Sequence, residues 1–163
     1  MIESKPSSPD TREKTFSCII GTRNRTEMLK ACVSSLLAQT FDDFEMIIVD
    51  QSADTGTEEM LLAYFHDDRI TYLRNSVCSL SRARNKAVEY MHGRYFCLID
   101  DDAVYPTDYL AKACAAFQGA GHKTILSGRM VEAKTGRPSV NYDIARDGET
   151  LSKRKILRIC PSP

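Results

Sequence analysis

The fold is indicated most clearly by residues 95–102, which read YFCLIDDD. Five apolar residues in a row are typical of a buried strand, and here three aspartates follow at once. Three earlier runs have the same character: residues 16–20 (FSCII), 44–49 (FEMIIV) and 70–73 (ITYL). These four runs predict four strands.

Apolar residues at helical spacing fill the segments between the predicted strands. The predicted helices cover residues 26–39 and 57–66, a segment from about Ser79, and a segment after Pro106. Thr26 is the expected N-cap of the first helix, and a fifth strand is predicted over residues 124–131. The alternation predicts an α/β fold with an open, mostly parallel, Rossmann-like sheet and helices on both faces.

Composition excludes several classes of protein. The 163 residues are 42% apolar, with 22 basic and 22 acidic side chains. The apolar content excludes a disordered chain, and the zero formal charge argues against a general nucleic-acid binder. No apolar run approaches the roughly 20 residues of a membrane-spanning helix, and no signal-peptide core is present. We therefore expect a cytoplasmic protein without a nucleic-acid partner.

The chain is expected to contain one main domain. Residues 1–14 are interpreted as a flexible lead-in, residues 15–138 as the core, and residues 139–163 as the incomplete start of a further region. No predicted element closes the domain after residue 139, so we expect the chain to be truncated. The basic run at residues 153–155 could contact anionic lipid or phosphate, although a solvated surface is the favoured interpretation.

The six cysteines contain no C-x-x-C pair, and the three histidines are scattered. Four of the cysteines lie within apolar strand or helix patterns: Cys18, Cys32, Cys97 and Cys114. Buried, reduced thiols are therefore expected in place of disulfides or a zinc site.

Polar clusters follow three of the predicted strands, at residues 22–25 (TRNR), 50–52 (DQS) and 100–102 (DDD). In an open α/β sheet, ligands bind beyond the carboxyl ends of the strands. The three clusters therefore predict one shared binding site. Each alone has a simpler interpretation, such as a helix-capping segment or a turn aspartate.

The aspartates Asp100, Asp101 and Asp102, called the aspartate triplet below, are the strongest signal. In extended backbone, Asp100 and Asp102 would project to the same side about 7 Å apart. Two such carboxylates repel by roughly 2–2.5 kcal/mol at an effective dielectric constant of 20. A divalent ion such as Mg²⁺ or Mn²⁺ would relieve this repulsion and could bridge to a diphosphate. The alternative is a solvated acidic loop.

Together these blocks resemble the family 2 glycosyltransferases, inverting enzymes with a GT-A fold. Residues 19–25 (IIGTRNR) are similar to the family's opening strand and P-T-Y-N-R-like motif, with Gly21 and Arg23 in place of the frequent Pro and Tyr. Residues 34–41 and 44–50 match the next block, where Gln51 replaces its second acidic residue. Residues 83–85 (ARN) match the A-R-N element, and the aspartate triplet matches the D-x-D.

The resemblance implies a nucleotide-sugar site and assigns its residues. Thr22, with Asn24 and Arg25 in the same loop, would line the nucleotide pocket. Asp50 would bind the nucleobase, and Arg84 would lie near the base or phosphates. Within the triplet, Asp100 would hold the ribose, Asp101 would belong to the donor site, and Asp102 would ligate Mn²⁺ or Mg²⁺ on the diphosphate.

The implied reaction is transfer of a sugar from a nucleotide-diphosphate sugar to an acceptor hydroxyl, with inversion and metal assistance. A saccharide or lipid-linked acceptor is expected, in polysaccharide or glycoconjugate synthesis, with peripheral contact to the inner face of the membrane. The family's catalytic carboxylate lies well downstream of the D-x-D, so no base is assigned and this chain alone is expected to be weakly active or inactive. Asp143, Asp147 and Glu149 match no motif of the family.

Three other interpretations compete. A sugar-phosphate nucleotidyltransferase usually has a glycine-rich loop after the first strand, where this chain has only Gly21. A dinucleotide-binding dehydrogenase would need G-x-G-x-x-G after a strand, which is missing. A non-catalytic, receiver-like α/β module would use the aspartates to bind Mg²⁺ without any dependence on nucleotide.

Overall fold

A computed structural model describes residues 13–118, 124–128, 131–132 and 135 of the chain. Strands and helices alternate as predicted. In chain order the elements are β1 Lys14–Thr22, α1 Thr26–Leu37, β2 Phe44–Asp50, α2 Gly56–Leu61, β3 Ile70–Arg74, α3 Leu80–Val88, β4 Gly93–Ile99 and α4 Tyr109–Gln118. A 3₁₀ turn, Leu62–Tyr64, extends α2.

The four strands form one parallel sheet in the order β3-β2-β1-β4. In the register, Thr22 at the end of β1 lies opposite Asp50 at the end of β2, and Ile20 lies opposite Ile99 at the end of β4. The polar residues after these strands therefore meet at one edge of the sheet. The predicted open α/β fold is confirmed.

Helices cover both faces of the sheet. On one face, α1, α2 and α4 contribute apolar side chains to the main core, with Leu29, Leu61 and Leu110 fully buried. On the other face, α3 packs its two alanines, Ala83 and Ala87, against β1 and β2. Small side chains on α3 allow its backbone to approach the sheet closely.

The strand before the aspartate triplet, which its apolar run predicted to be buried, is buried on one face only. Tyr95, Cys97 and Ile99 face the main core, whereas Phe96 and Leu98 are 58% and 48% exposed. The reason is that β4 is the edge strand and α3 covers β1 and β2.

Two local predictions are wrong. The N-cap of α1 is Arg25, and no side chain caps this helix, so Thr26 is its first helical residue. Residues 124–128 form no strand, and Val131 makes only an isolated β-bridge. The apolar pattern there resembled a strand, but pattern alone does not supply a partner for its hydrogen bonds.

The thiols are free in the described part of the chain. Cys18 and Cys32 are buried as expected, and Cys97 and Cys114 are half-buried, whereas Cys78 is exposed. Cys160 and the basic run at residues 153–155 lie outside the described residues.

The chain divides into two compact units, Met1–Thr124 and Ile125–Pro163. The first unit contains the sheet, and its first strand begins at Lys14, the last residue of the expected lead-in. In the second unit, Thr135 donates from its backbone N–H and hydroxyl to Glu132. The expected boundary after residue 138 lies outside the described residues. Within those residues, no helix is long and apolar enough to cross a membrane.

Candidate functional site

The loops after β1 and β4 are joined by a buried hydrogen bond. The Thr22 hydroxyl donates to Asp101 Oδ2 over 2.7 Å, although the two residues are 79 positions apart in the chain. Both residues are buried. The loop after β2 joins the same edge, because the Gln51 backbone N–H donates to the Thr22 carbonyl over 2.9 Å. All three sequence-predicted clusters thus meet at Thr22.

Asn24 connects the loops after β1 and β2. Its backbone N–H donates to Ser52 Oγ over 2.8 Å, and its side-chain oxygen accepts from the Ala53 N–H over 3.3 Å. Asn24 has a φ of 54°, in the left-handed region that asparagine tolerates better than most residues. Asn24 therefore has a structural role in shaping the β1 loop, and its predicted contact with the nucleotide stays a prediction.

The aspartate triplet is not extended, which corrects the expected 7 Å arrangement. Strand β4 ends at Ile99, and a turn follows in which the Ala103 N–H donates to the Asp100 carbonyl over 3.2 Å. The turn directs the three carboxylates to different partners. Asp101 points into the sheet edge and is buried, while Asp100 and Asp102 remain about half exposed.

Two arginines compensate the charge of the triplet. Arg25 Nη1 lies 3.2 Å from Asp101 Oδ1 and 3.2 Å from Asp102 Oδ2. Arg84 Nη2 lies 3.7 Å from Asp100 Oδ1. The repulsion expected among the carboxylates is therefore relieved, in part, by guanidinium groups of the chain itself. Arg25 and Arg84, both predicted as site residues, lie beside the triplet.

Two side chains that pack against the main core, Tyr105 and Cys32, hold the backbone of Asp100 by hydrogen bonds. The Asp100 N–H donates to the Tyr105 hydroxyl over 3.1 Å, and the Cys32 thiol donates to the Asp100 carbonyl over 3.5 Å. Burial, followed by the nearby aspartates, raises the pKa of the Cys32 thiol to about 12. Burial also raises the pKa of Tyr105. The Cys32 thiol therefore stays protonated and donates to the Asp100 carbonyl, while the Tyr105 hydroxyl accepts from the Asp100 N–H.

Gln39, two residues after the end of α1, holds the later part of the loop that follows β4. Gln39 Nε2 donates to the Pro106 carbonyl over 2.6 Å, and Gln39 Oε1 accepts from the Leu110 N–H over 2.9 Å. The Thr40 N–H donates to the Thr107 carbonyl over 2.8 Å. Residues 103–108 are thus tied to α1 on one side and to α4 on the other.

Asp50 lies at the shared edge but is closed to solvent, with an exposure of 0%. Its Oδ1 accepts from the Ser52 N–H and its Oδ2 from the Tyr72 hydroxyl, each over 2.8 Å. Burial, followed by the bond to Asp50, raises the pKa of Tyr72, which keeps that hydroxyl protonated. In this structure the predicted nucleobase ligand is satisfied by protein groups, and a direct base contact stays a prediction.

Arg74, at the end of β3, is a charged group near this edge that the motif-based reasoning missed. Its Nη1 lies 3.9 Å from Asp50 Oδ2 and 3.8 Å from Glu58 Oε2, and its Nη2 donates to the carbonyls of Ser52 and Asp54. Its position in the sequence could have identified it. Arg74 ends the third parallel strand, and ligands of open α/β sheets bind beyond the carboxyl ends of such strands.

Gln51, which departs from the family pattern, has a structural role. Its Nε2 donates to the Val77 carbonyl and, over 3.0 Å, to the Ser79 carbonyl. Ser79 is the N-cap of α3, and its hydroxyl accepts from the Arg82 N–H. Because an amide can donate and a carboxylate cannot, glutamine suits this position beside two carbonyl groups.

The donor set fits a metal ion that arrives with phosphates better than a resident ion. Among the described residues, no three carboxylate, imidazole or thiol groups converge as a ready-made metal site. The Asp102 carboxylate is half exposed and could supply one oxygen. Mg²⁺ in nucleotide sites is commonly held by one or two carboxylates together with substrate phosphates. The triplet fits that second kind of site.

Comparison with known proteins decides the family. Residues 17–160 match the family model described as glycosyl transferase family 2. The chain belongs to glycosyl transferase family 2. The structure therefore describes the N-terminal part of a family 2 glycosyltransferase with a GT-A fold.

Two bacterial glycosyltransferases show the extent of the similarity. A Bacillus subtilis glycosyltransferase provisionally assigned to teichuronic acid biosynthesis, TuaG, is 32% identical over 125 residues, which is 75% of this chain and 49% of TuaG. The Escherichia coli protein WfgD is 31% identical over 90 residues, which is 55% of this chain and 35% of WfgD. WfgD is named as a UDP-Glc:α-D-GlcNAc-diphosphoundecaprenol β-1,3-glucosyltransferase.

Solved structures share the fold of this family 2 chain. Staphylococcus aureus TarS (residues 1–349) superposes with a TM-score of 0.59 at 24% identity, covering 64% of this chain and 32% of TarS. The mannosyltransferase PcManGT from Pyrobaculum calidifontis, in complex with GDP-Man and Mn²⁺, superposes with a TM-score of 0.57 at 24% identity. That match covers 68% of this chain and 35% of PcManGT. The chain spans at most about half the length of these proteins.

Proposed function

We propose that this chain binds the nucleoside diphosphate of a sugar donor at the carboxyl edge of its sheet. Within the whole protein, this unit would present the donor for transfer of the sugar to an acceptor hydroxyl with inversion, assisted by Mn²⁺ or Mg²⁺. The proposal is supported by membership of family 2 and by the convergence of the sequence-predicted residues.

The observation that carries the proposal is the bond between Thr22 and Asp101. It brings the loop after β1 against the aspartate triplet after β4, and Gln51 brings the loop after β2 to the same place. Partly exposed carboxylates and guanidinium groups therefore lie together at this edge of the sheet. A nucleoside diphosphate carries hydroxyl groups and paired phosphates, and this edge offers half-exposed carboxylates and guanidinium groups suited to them.

Three exposed groups are assigned to the phosphates and ribose. Arg84 and Arg25 can each donate two parallel hydrogen bonds to phosphate oxygens, and Asp100 can accept from ribose hydroxyls. Both arginines lie within 4 Å of triplet carboxylates in the free protein, so they start close to the proposed phosphate position. Asp101 is buried and engaged by Thr22, so its assigned role is to hold the loop in place.

Asp102 is the residue that would hold the metal ion. When bound, the ion supplies Lewis-acid stabilisation of the departing nucleoside diphosphate. The chain contributes a partly exposed carboxylate on a turn anchored by Asp101, Tyr105 and Gln39. Such anchoring keeps the carboxylate in position without a resident ion.

The acceptor and the base that deprotonates it are assigned to the remainder of the protein. Inverting transfer needs a general base on the face of the sugar opposite the leaving group. A saccharide or lipid-linked acceptor is supported by the name of WfgD, which acts on a lipid diphosphate. Peripheral membrane contact through the basic run at residues 153–155 stays a prediction.

Titration calorimetry tests the proposal. UDP, GDP and dTDP are titrated into the chain with Mn²⁺ and again with a chelator. We expect one nucleotide to bind in a metal-dependent manner, and the preferred base identifies the donor class. Asp102→Ala should abolish the metal dependence.

The matched control is Asp68→Ala, which removes the same charge from an exposed residue just before β3, at the opposite edge of the sheet. This variant should bind as the unmodified chain does. Metal binding that is indifferent to every nucleotide would instead favour the receiver-like module. Binding of no nucleotide under any condition refutes the proposal.

A further inference from the structure

The Arg25 side chain places its positive charge beside Asp102, the residue proposed to hold the metal ion. One of its nitrogens, Nη1, is 3.2 Å from Asp102 Oδ2 and also 3.2 Å from Asp101 Oδ1. We infer that Arg25 is a built-in counter-ion that neutralises Asp102 in the free protein and gives way when a metal–diphosphate complex arrives. This inference rests on the proposed function of the site.

The two carboxylates that contact Arg25 differ in burial and in their other partners. Asp101 is buried and is already engaged by the Thr22 hydroxyl, whereas Asp102 is 52% exposed, and the only hydrogen bond that its side chain makes within the described residues is with Arg25. The Arg25 side chain is itself 51% exposed, so it has room to move toward solvent. Arg25 can therefore leave Asp102 at small cost, since exposed ion pairs contribute little to stability.

The charge balance explains why an ion alone would bind weakly. Three carboxylates face two guanidinium groups, Arg25 and Arg84, so the free site is close to neutral. A divalent ion at Asp102 would meet the positive charge of Arg25 within a few ångströms of the same oxygen. Mutual repulsion of these charges lowers the affinity for the ion.

A nucleoside diphosphate changes this balance because it brings negative charge and bidentate acceptors. Guanidinium groups bind phosphate through paired hydrogen bonds, so Arg25 gains a better partner than Asp102. Asp102 is then free to accept the ion. Nucleotide and ion should accordingly increase each other's affinity by the same factor.

The direct test measures Mn²⁺ alone, without nucleotide, from the electron paramagnetic resonance signal of the free ion. Arg25→Gln should bind Mn²⁺ roughly 5- to 30-fold more tightly than the unmodified chain, because one positive charge near Asp102 is lost. Arg25→Lys, which keeps the charge, should restore the weak binding.

Arg23→Gln is the matched control. It removes the same charge two residues away, from a guanidinium that donates to the Cys78 thiol and makes no ion pair with the triplet among the described residues. This variant should change Mn²⁺ affinity less than Arg25→Gln does, since the Arg23 guanidinium contacts Cys78 and not Asp102. Equal tightening by Arg23→Gln and Arg25→Gln would overturn the inference, as would an affinity in Arg25→Gln that is unchanged, weaker or undetectable.

Adding UDP, or whichever diphosphate binds, completes the test. In Arg25→Gln the factor by which nucleotide tightens Mn²⁺ binding should shrink, because the ion site is already open and one phosphate contact is lost. If nucleotide tightens Mn²⁺ binding by the same factor in Arg25→Gln as in the unmodified chain, Arg25 does not exchange Asp102 for a phosphate, and the inference is contradicted. If no nucleotide binds, the proposed function fails, whereas the measurement with Mn²⁺ alone still decides whether Arg25 opposes the ion.

Discussion

The Thr22 hydroxyl lies 2.7 Å from Asp101 Oδ2, and this buried contact joins the ends of two adjacent parallel strands. Asp101 is the middle residue of the triplet, between two exposed carboxylates. With Thr22 on one oxygen and Arg25 on the other, Asp101 holds the turn in place. Asp100 and Asp102 therefore remain free to face solvent, where a ligand can reach them.

Thr22→Val removes this contact while keeping the shape of the side chain. We expect the free energy of unfolding to fall by about 1–2 kcal/mol, because a buried carboxylate oxygen loses its partner. Nucleotide affinity should fall as well, since the turn loses its anchor. Thr15→Val is the control at the other end of β1, where the hydroxyl donates to Asp43 in an exposed bond. Denaturant titration should show a smaller change there, and equal losses would contradict the special role of Thr22.

Tyr72→Phe tests whether Asp50 depends on its tyrosine partner. Asp50 is fully buried, so loss of the Tyr72 hydroxyl should destabilise the chain by about 1–3 kcal/mol. Tyr64→Phe removes a hydroxyl whose one hydrogen bond within the described part of the chain is to the exposed Ser34, and its expected effect is within about 0.5 kcal/mol. Urea denaturation compares the two variants. Similar stabilities would show that water replaces the tyrosine at Asp50.

Gly93→Ala should be the most damaging small substitution in the sheet. A Cβ at Gly93 would lie 2.4 Å from the Ser17 backbone nitrogen and 2.5 Å from Ser17 Oγ. The backbone of β1 or β4 would have to move to relieve this clash, and the hydrogen bond from the Gly93 N–H to Ser17 Oγ would be lost. We expect a loss of at least about 3 kcal/mol, or failure to fold.

Gly56→Ala is the control for that substitution. A Cβ there would meet its nearest atoms at 3.4 Å, an ordinary contact, and the residue begins α2. Alanine favours helix over glycine, so thermal unfolding should show unchanged or slightly higher stability. If the two variants had the same free energy of unfolding, the prediction would be wrong, because β1 and β4 could then move apart at Gly93 without loss of stability.

Alkaline pH should destabilise the chain through Cys32. Its pKa is about 12 in the fold, against 9.0 for an ordinary thiol, so the unfolded chain loses this proton more readily. The contribution to stability is complete below about pH 8 and declines as the pH rises from 9 toward 12, by about 1 kcal/mol between pH 9 and pH 10. Denaturation at several pH values should show this slope, and Cys32→Ala should reduce it. A slope that is unchanged in the variant would assign the effect to other groups, such as Tyr72 and Tyr105.

The limits of prediction from sequence are clearest at β4 and Asp50. The apolar run 95–99 correctly predicted a strand, but burial on both faces depends on whether a helix covers that strand. Here α3 covers β1 and β2, so Phe96 and Leu98 are exposed. Asp50 was correctly expected at the sheet edge. Its closure by Tyr72 and Arg74 could not be predicted, since these partners come from a separate strand.

The alternation of strands and helices along the chain, the α/β class and the three polar clusters could be predicted from the sequence, because they follow from residue patterns within short segments. Which clusters meet depends on the order of the strands in the sheet. Strand β4 lies beside β1, and this neighbour relation brings Asp101 to Thr22 across 79 residues. The tertiary structure also places Arg25, from the loop after β1, beside Asp102, whose charge it compensates. Such contacts depend on side-chain positions in three dimensions, which local spacing does not encode.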